Sequence, residues 1–455
     1  MARPFARHTE CGKAAAPLHA WQRADVGGPA TRALAPPPES GTMPVPVSTR
    51  SSRAAAAFLL RPHAADILRL VWQERGISRA ELSRRTALAR STVSQTVQAL
   101  QQGGLVGEEG VGPSRGGRRP TLLRFEDDAF GLVGVDLGHA HVAVALTSLR
   151  GRMLAWEERR HPVRSDPAGA RALVCELVDA CLDRWHHPRE RLVGVGVAVP
   201  SPVESGSARP LSRVALPAWD GTPGLEVLTE RLGVPVLLDN DANLGALAEH
   251  WWGAGRQVKD LTYVLLGNGV GAGYLIDGKV YRGGTGVAGE LGHLPVDPAG
   301  PPCACGLRGC LTTLVDVPAI LARAGTLLAE QPSSVLATRP LSVASIEEAA
   351  RAGDPVAVRV VEETARWLAL GVTGLLNLLN PSLVILGGGV ARLGDTLLGP
   401  LRRFVQTNAY VSSAAEARIV ASPLAERAIA LGAATLVLHR ALGDLTLFPS
   451  VRSGG

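Results

Sequence analysis

The sequence has no long hydrophobic run and few cysteines, and each absence excludes a class of protein. No stretch of about 18 uninterrupted apolar residues occurs, which excludes a membrane-spanning helix and predicts no membrane partner. Six cysteines in 455 residues are too few for a disulfide scaffold, so we expect the reducing cytoplasm. With 46% hydrophobic and 19% charged residues, the composition is that of a globular protein.

The first 60 residues lack the continuous apolar core of a signal peptide. They are rich in Ala, Pro, Gly and Arg, and we predict that residues 1–60 are disordered. The chain has only three methionines, and Met43 lies just before the first periodic segment. Translation from Met43 instead of Met1 is therefore a hypothesis, which N-terminal mass spectrometry of the native protein would test.

Charge is distributed unevenly along the chain. The whole chain carries a formal net charge of +6, the first 126 residues carry +9, and the other 329 carry −3. A basic front end on a mildly acidic body is typical of a protein in which one part meets nucleic acid and the other has a different task. A solvated basic tail is the alternative.

Residues 61–126 have the pattern of three short helices followed by a Gly- and Arg-rich hairpin. Ser78 stands three residues before Glu81, which is the spacing of a capping box. We therefore expect a second helix to start there and to bury Ala80 and Leu82. The pattern predicts a DNA-binding winged helix-turn-helix domain.

The third predicted helix has apolar residues at i, i+4 and i+7, namely Val93, Val97 and Leu100. The remaining faces are polar, as a recognition helix requires. The predicted DNA-binding residues of this helix and its surroundings are Arg79, Arg90, Ser91, Thr92 and Gln95. A loop between two short strands would form the wing and carries Arg115, Arg118 and Arg119.

The remaining chain, residues 127–455, alternates strand-like and helical stretches and is therefore predicted to be α/β. Apolar runs typical of strands occur at residues 131–137, 192–199, 234–238, 261–266 and 383–386. Glycine-rich loops follow the last two of them, and such loops serve either close ligand approach or a tight turn. Asn240 and Asp241 follow the 234–238 run, where ligand-facing residues of open α/β sheets commonly lie.

The strongest chemical pattern is a histidine followed by three closely spaced cysteines. One imidazole and three thiolates within 18 residues can close a tetrahedral zinc site without an open position, and the residues are His293, Cys303, Cys305 and Cys310. A closed site is structural. Glu290 stands three residues before the histidine, so zinc binding would hold that carboxylate loop in place.

Taken together, these motifs resemble the ROK family, named for repressors, open reading frames and kinases. The motifs that carry the resemblance are Gly117-Arg118-Arg119-Pro120, residues 239–243, the 267–273 glycine loop, residues 288–293, the cysteine cluster, and Asn380-Pro381 leading into Gly387-Gly388-Gly389. The resemblance implies an actin-like (ribonuclease H-like), two-lobed sugar-kinase fold preceded by the winged helix. It also implies structural Zn²⁺ at the four residues named above.

By the same resemblance, the positions that match the family's sugar contacts are Asn240, Asp241, Glu290 and His293. Asp241 also matches the general base of the kinase branch. Family members with a winged helix regulate carbohydrate genes, form homodimers or homotetramers, and change their operator DNA affinity with a sugar or sugar phosphate. We therefore predict a DNA-binding transcriptional regulator, a repressor by type.

Three departures from the kinase branch favour a regulator over an enzyme. Gly138 is followed by His139 and Ala140 where kinases have a threonine. Asn268 stands in the second loop, in place of the threonine of Gly-Thr-Gly, and Thr312 replaces a sugar-binding glutamate. Catalysis is then expected to be lost. The alternative is an ATP-dependent sugar kinase with a fused winged helix.

Overall fold

The computed structural model describes residues 59–113, 119–203, 215–219, 224–410 and 416–452. Residues 1–58 of the segment predicted to be disordered lie outside the described residues, so disorder there stays a prediction. Leu59, near the end of that segment, is instead only 4% exposed and packs in the core of the N-terminal helices. Met43 and two predicted wing residues, Arg115 and Arg118, also lie outside them.

The N-terminal part of the described chain is a three-helix fold with a small sheet. Its elements are α1 (Pro62–Gln73), β1 (Ile77–Ser78), α2 (Arg79–Thr86), α3 (Arg90–Gln102), β2 (Val106–Val111) and β3 (Thr121–Phe125). The strand order is β1-β3-β2, and both pairs are antiparallel. The predicted three helices and hairpin are confirmed.

Local chemistry explains where α2 begins and which face it buries. Ser78 Oγ accepts a hydrogen bond from the Glu81 amide at 3.2 Å, which is the predicted N-cap contact. Leu82 is buried, but the expected burial of Ala80 is wrong, because Ala80 is exposed. Residues two apart on an α-helix point in nearly opposite directions, so only one of the pair reaches the core.

The body starts with a five-stranded sheet, which defines the first lobe. Its strands are β4 (Gly131–Leu137), β5 (His141–Ser148), β6 (Met153–Arg160), β7 (Leu192–Val199) and β8 (Val236–Asn240). Their order is β6-β5-β4-β7-β8. Strand β5 pairs antiparallel with β4 and β6, and β7 pairs parallel with β4 and β8. The helices are α4 (Pro167–Asp183), α5 (Glu226–Leu232) and α6 (Asp241–Trp252).

A second five-stranded sheet defines the second lobe and repeats this arrangement. Its strands are β9 (Leu261–Leu266), β10 (Val270–Ile276), β11 (Lys279–Tyr281), β12 (Leu383–Gly387) and β13 (Arg418–Ala421), in the order β11-β10-β9-β12-β13. The helices that follow along the chain are α7 (Thr312–Val315), α8 (Val317–Glu330), α9 (Val343–Arg351), α10 (Pro355–Leu379), α11 (Asp395–Asn408), α12 (Ala428–Ala441) and α13 (Pro449–Arg452), and of these α12 packs on the first sheet. The repeated sheet order confirms the predicted actin-like, two-lobed α/β fold.

Helices α6 and α12 lie between the two sheets, and glycines let their backbones approach closely. A Cβ atom on Gly134 of β4 or Gly196 of β7 would lie 1.9 Å from a carbonyl oxygen of α12. One on Gly432 of α12 would lie 1.9 Å from the Leu244 carbonyl oxygen of α6, and one on Gly273 of β10 would lie 2.2 Å from another α6 carbonyl. The first sheet, α12, α6 and the second sheet therefore pack backbone against backbone.

The core of the winged helix is continuous with the core of the body. Buried residues of α1 and α3 belong to the same hydrophobic cluster as the C-terminal half of α12 and the segment that follows it. Phe130, just before β4, packs edge-on against Phe448 with ring centroids 5.6 Å apart. The winged helix is thus packed on the first lobe instead of being joined to it by a linker alone.

The helices of the body are amphipathic or buried in the core. The longest, α10, has 25 residues and carries Arg359, Glu362, Glu363 and Arg366. None of the helices in the described part of the chain has both the length and the apolar character that crossing a bilayer requires.

Gly432→Ala is expected to lower the free energy of unfolding by about 3 kcal/mol, because the new methyl group overpacks the contact between α12 and α6. Urea unfolding followed by circular dichroism measures this. The matched control is Gly325→Ala in α8, where a Cβ meets no atom within 4 Å. That control should be neutral or stabilise by up to about 1 kcal/mol. Equal effects of the two substitutions would contradict the packing account.

Candidate functional site

The N-terminus of α6 is built around the side chain of Asn240, which ends β8 and caps the helix. Asn240 Oδ1 accepts hydrogen bonds from the Ala242 and Asn243 amides at 3.0 and 3.2 Å. Its Nδ2 donates to Asp241 Oδ1 at 3.0 Å and to the Ser201 carbonyl at 3.3 Å. The cap therefore fixes the position of the Asp241 carboxyl group at the edge of the first sheet.

The Asp239 carboxylate holds Asn240 and Asn243 in place. The sequence pattern does not indicate this role for Asp239. It is only 4% exposed and accepts hydrogen bonds from the Asn240 amide at 2.8 Å and from Asn243 Nδ2 at 3.2 Å. Its other oxygen pairs with the guanidinium group of Arg282. Arg282 is the residue that follows β11 in the second lobe. This ion pair ties the two lobes together beside the predicted site, and only the three-dimensional contact reveals it.

Asp241 lies among acidic groups that change its protonation. Burial raises the pKa of Asp241 to about 8, and the charge of Asp136 adds to the shift. Asp241 is thus protonated near neutral pH and can donate as well as accept a hydrogen bond. Asp136 is 1% exposed, and its Oδ1 atom has no hydrogen-bond partner among the residues that the structure describes.

Two histidines occupy the turn between β4 and β5. His141 Nε2 lies 3.2 Å from Asp136 Oδ2. Burial alone would lower the pKa of His141, but the hydrogen bond and charge of Asp136 outweigh it and raise the pKa to about 9. Burial, followed by the positive charge of Arg164, lowers the pKa of His139 to about 4. The turn therefore carries one charged and one neutral imidazole near neutral pH.

The β4–β5 turn of the first lobe lies close to the β9–β10 turn of the second lobe, and we call the region between the lobes at these turns the cleft. The His139 ring lies 3.4 Å from the point that a Cβ on Gly269 would occupy, so the β4–β5 turn approaches the β9–β10 turn. No helix follows the glycine loop after β9, because β10 pairs with β9 in a hairpin. A dinucleotide-binding turn leads from a strand into a helix, so this loop is not of that type.

Glu290 precedes and His293 ends a short 3₁₀ turn of the second lobe, Leu291–His293. Glu290 is exposed, and its Oε2 atom is 3.8 Å from His293 Nε2. The turn approaches β10 closely, since a Cβ on Gly289 would lie 2.0 Å from the Ala272 carbonyl oxygen. Gly289 also has a φ of +112°, which favours glycine. The negative charge of Glu290 contributes to the raised pKa of Asp241, so the two carboxyl groups share one region.

The predicted metal ligands converge in one group. The ligand atoms of His293, Cys303, Cys305 and Cys310 all lie within 4.8 Å of one another. His293 Nδ1 is 3.4 Å from Cys303 Sγ, and Cys305 Sγ is 3.6 Å from Cys310 Sγ. His293 thus turns Nδ1 towards the cysteines and Nε2 towards Glu290, which allows it to serve both predicted sites.

The predicted DNA-binding residues lie on the winged helix, apart from the cleft. Ser91 and Gln95 are exposed on α3, Thr92 is half-buried, and Arg119 is exposed. Arg90 is exposed and has no side-chain partner in the described part of the chain. Arg79 differs: its guanidinium donates to Glu108 Oε1 at 3.1 Å and to Gln101 Oε1 at 3.1 Å. A DNA contact by Arg79 stays a prediction and would have to coexist with these bonds.

Comparisons with known proteins define the class. The ROK family profile matches residues 132–440, and a helix-turn-helix domain profile matches residues 59–108. The chain therefore belongs to the ROK family and carries an N-terminal helix-turn-helix.

Individual relatives include regulators that match nearly their whole length. The xylose repressor of Caldicellulosiruptor bescii is 30% identical over 84% of this chain and 96% of its own. The DNA-binding transcriptional dual regulator NagC of Escherichia coli is 30% identical over 85% of this chain and 94% of its own. Both alignments extend beyond the ROK body alone.

Similar solved structures include both a transcriptional regulator and a kinase. A ROK family transcriptional regulator, described as a homologue of the E. coli MLC protein, covers 87% of this chain and 100% of its own, with a TM-score of 0.74 and 26% identity. A ROK family glucokinase from Streptomyces griseus, solved with glucose and AMPPNP, covers 67% of this chain and 98% of its own, with a TM-score of 0.62 and 31% identity. The kinase thus matches only the body, whereas the regulator also spans the winged helix.

His141→Gln is expected to lower the melting temperature by roughly 2–4 °C at pH 6, because the charged hydrogen bond to Asp136 is lost. The folded-state pKa of His141 lies above its ordinary value of 6.5. Its stabilisation is therefore complete below pH 6.5 and disappears as the pH rises through about 9. Melting curves from pH 6 to pH 10 should show the wild-type advantage shrinking over this range. A pH-independent difference, as expected for the exposed control His186→Gln, would contradict the assignment.

Proposed function

We propose that this protein is a DNA-binding transcriptional regulator, a repressor of carbohydrate genes, whose operator affinity changes when a sugar or sugar phosphate binds in the cleft. The observation that carries the proposal is the single core shared by a winged helix and a two-lobed body. The exposed polar face of α3 and the polar cleft of the body are therefore parts of one packed structure. An enzyme needs no such DNA-contacting face.

The DNA interface that we propose consists of α3 in the major groove and the wing beside it. Exposed Ser91 and Gln95 can reach base edges, and Arg90 and Arg119 can bind phosphates. Thr92, Arg115 and Arg118 complete the proposed set. Two copies of the chain on an operator with two half-sites would give this interface the usual dimeric geometry.

The sugar site that we propose is the cleft edge formed by Asn240, Asp241, Glu290 and His293. A protonated Asp241 donates to a sugar hydroxyl, while Glu290 supplies an acceptor. Asn240 contributes by holding Asp241, since its own amide group is used in the cap contacts, so little entropy is lost when Asp241 binds a ligand.

Kinase chemistry is disfavoured by the β4–β5 turn. His139 and Ala140 replace residues that would cradle ATP phosphates in the kinase branch, and the His139 ring lies against Gly269 where the two glycine loops meet. A bulky ring at that point leaves less room for a phosphate chain. We therefore propose a sensor without catalysis, acting in the cytoplasm.

Fluorescence anisotropy on the protein's own promoter region tests the proposal. The ligands are D-xylose, the sugar in the name of the xylose repressor, and N-acetylglucosamine, the sugar in the name of a similar N-acetylglucosamine repressor of Escherichia coli, with D-glucose and N-acetylglucosamine 6-phosphate. We expect specific binding of the operator and a change in its Kd of tenfold or more with one of the four, about 1.4 kcal/mol of coupling. An Arg90→Ala variant should bind the operator more weakly and with a smaller salt dependence.

Two outcomes would overturn this proposal. The first is the absence of specific DNA binding, and the second is operator binding that none of the four sugars changes. ATP-dependent phosphorylation of one of these sugars, lost in an Asp241→Ala variant, would instead establish the kinase alternative.

We further propose that the His293–Cys310 group holds a structural zinc ion. Ligands around tetrahedral zinc, with bonds of about 2.3 Å to sulfur and about 2.0 Å to nitrogen, lie roughly 3.5–3.8 Å apart. The 3.4 Å and 3.6 Å separations in this group fit that geometry. Zinc would leave no open position, so its task would be to hold the Glu290 turn in place.

Cys305→Ser is expected to abolish stoichiometric zinc binding and to lower the melting temperature by several degrees, because one of four ligands is lost. Atomic emission spectroscopy and thermal melting measure the two effects. Cys175→Ser on α4 is the matched control and should change neither. An unchanged zinc content or melting curve in Cys305→Ser would count against the site.

A further inference from the structure

Three tryptophans meet where α6 ends, and they join the body to the winged helix. Trp251 and Trp252 are the last two residues of α6, and Trp72 lies near the end of α1. The Trp72 ring centroid is 5.1 Å from that of Trp251 and 6.3 Å from that of Trp252. The two α6 rings are 5.7 Å apart. We call Trp72, Trp251 and Trp252 the tryptophan cluster.

Each ring of the cluster is also held by a second contact, which for Trp251 is the His439 ring of α12, with centroids 5.9 Å apart. Trp252 Nε1 donates to Thr435 Oγ1 of α12 at 2.7 Å, and Trp72 Nε1 donates to the Leu149 carbonyl at 3.3 Å. The Arg150 guanidinium lies 4.5 Å above the Trp72 ring and is fixed by a 2.8 Å hydrogen bond to Asp127. The rings are therefore oriented, so a displacement of one changes the contacts of the others.

The same helix begins at the proposed sugar site. Asn240 caps α6 and Asp241 is its first residue, so the helix spans about 18 Å from the cleft to the tryptophan cluster at roughly 1.5 Å per residue. Residues 242–249 are all buried. Glu249 is fully buried as well and bonds the Ser422 hydroxyl of the second lobe and the Ala254 amide. A helix packed on all sides moves as a body instead of bending locally.

We infer that α6 is the element that couples the sugar cleft to the DNA-reading winged helix, with the tryptophan cluster as its contact on α1. The inference rests on the proposed function and specifies its regulation. A sugar held by Asp241, at the first residue of α6, and by the second lobe favours one position of α6 over another. Trp251 and Trp252 carry that preference to α1, whose buried face supports α3.

The test uses the full-length protein and two variants, Trp72→Phe and Trp252→Phe. Operator Kd is measured by anisotropy with and without each of the four sugars named above, and sugar Kd is measured by calorimetry without DNA. We expect each separate Kd to stay within threefold of the wild-type value. The ratio of operator Kd with and without sugar should fall from tenfold or more to under threefold. A residue that only stabilises the fold would leave that ratio unchanged.

Trp185→Phe is the matched control, because Trp185 is buried in the first lobe beside His187. It should keep the wild-type ratio. If either variant fails to fold, Arg150→Gln replaces it, since that change keeps all three tryptophans and removes the cation above Trp72 together with its bond to Asp127. A full wild-type ratio in the folded variants would overturn the inference and leave the proposed function intact. A wild-type ratio near one with all four sugars would overturn the proposed function, and the inference with it.

Discussion

The backbone contact between α12 and α6 at Gly432 is the constraint on which the rest of the structure depends. It allows two helices to fit between the sheets of a two-lobed fold, with no side chain separating them. Because the contact is between backbones, the pair cannot be adjusted by rotamer changes. Helix α6 is then held rigidly along its length, from the Asn240 cap at the cleft to Trp251 and Trp252 beside the winged helix.

The electrostatics of the cleft follow from the same packing. Asp136 is buried in the first sheet and lies 3.2 Å from His141, whose pKa it raises. Asp241, held nearby by the Asn240 cap, is pushed towards its protonated form. A site with a charged imidazole, a neutral carboxylic acid and a neutral imidazole can both donate hydrogen bonds to hydroxyl groups and accept them. This suits recognition of a sugar more than transfer of a phosphate.

Much of this architecture could be predicted from the sequence. The runs at 192–199 and 261–266 became β7 and β9 with the same bounds, and the four His and Cys ligands converge as their spacing indicated. Such features depend on residues close in sequence, where period and spacing are informative. The Asp239–Arg282 ion pair and the tryptophan cluster join residues that are far apart in the sequence. No local pattern encodes them. The predicted burial of Ala80 was wrong because a short helix has one buried face, and Leu82 occupies it.

The most direct test of the account is reciprocity. If a sugar in the cleft changes operator affinity through α6, operator DNA must change sugar affinity by the same factor. Isothermal titration of the most effective sugar into the protein, with and without saturating operator DNA, measures this factor. The account predicts a change in sugar Kd equal to the change in operator Kd, tenfold or more. A sugar Kd that is the same with and without operator would contradict it.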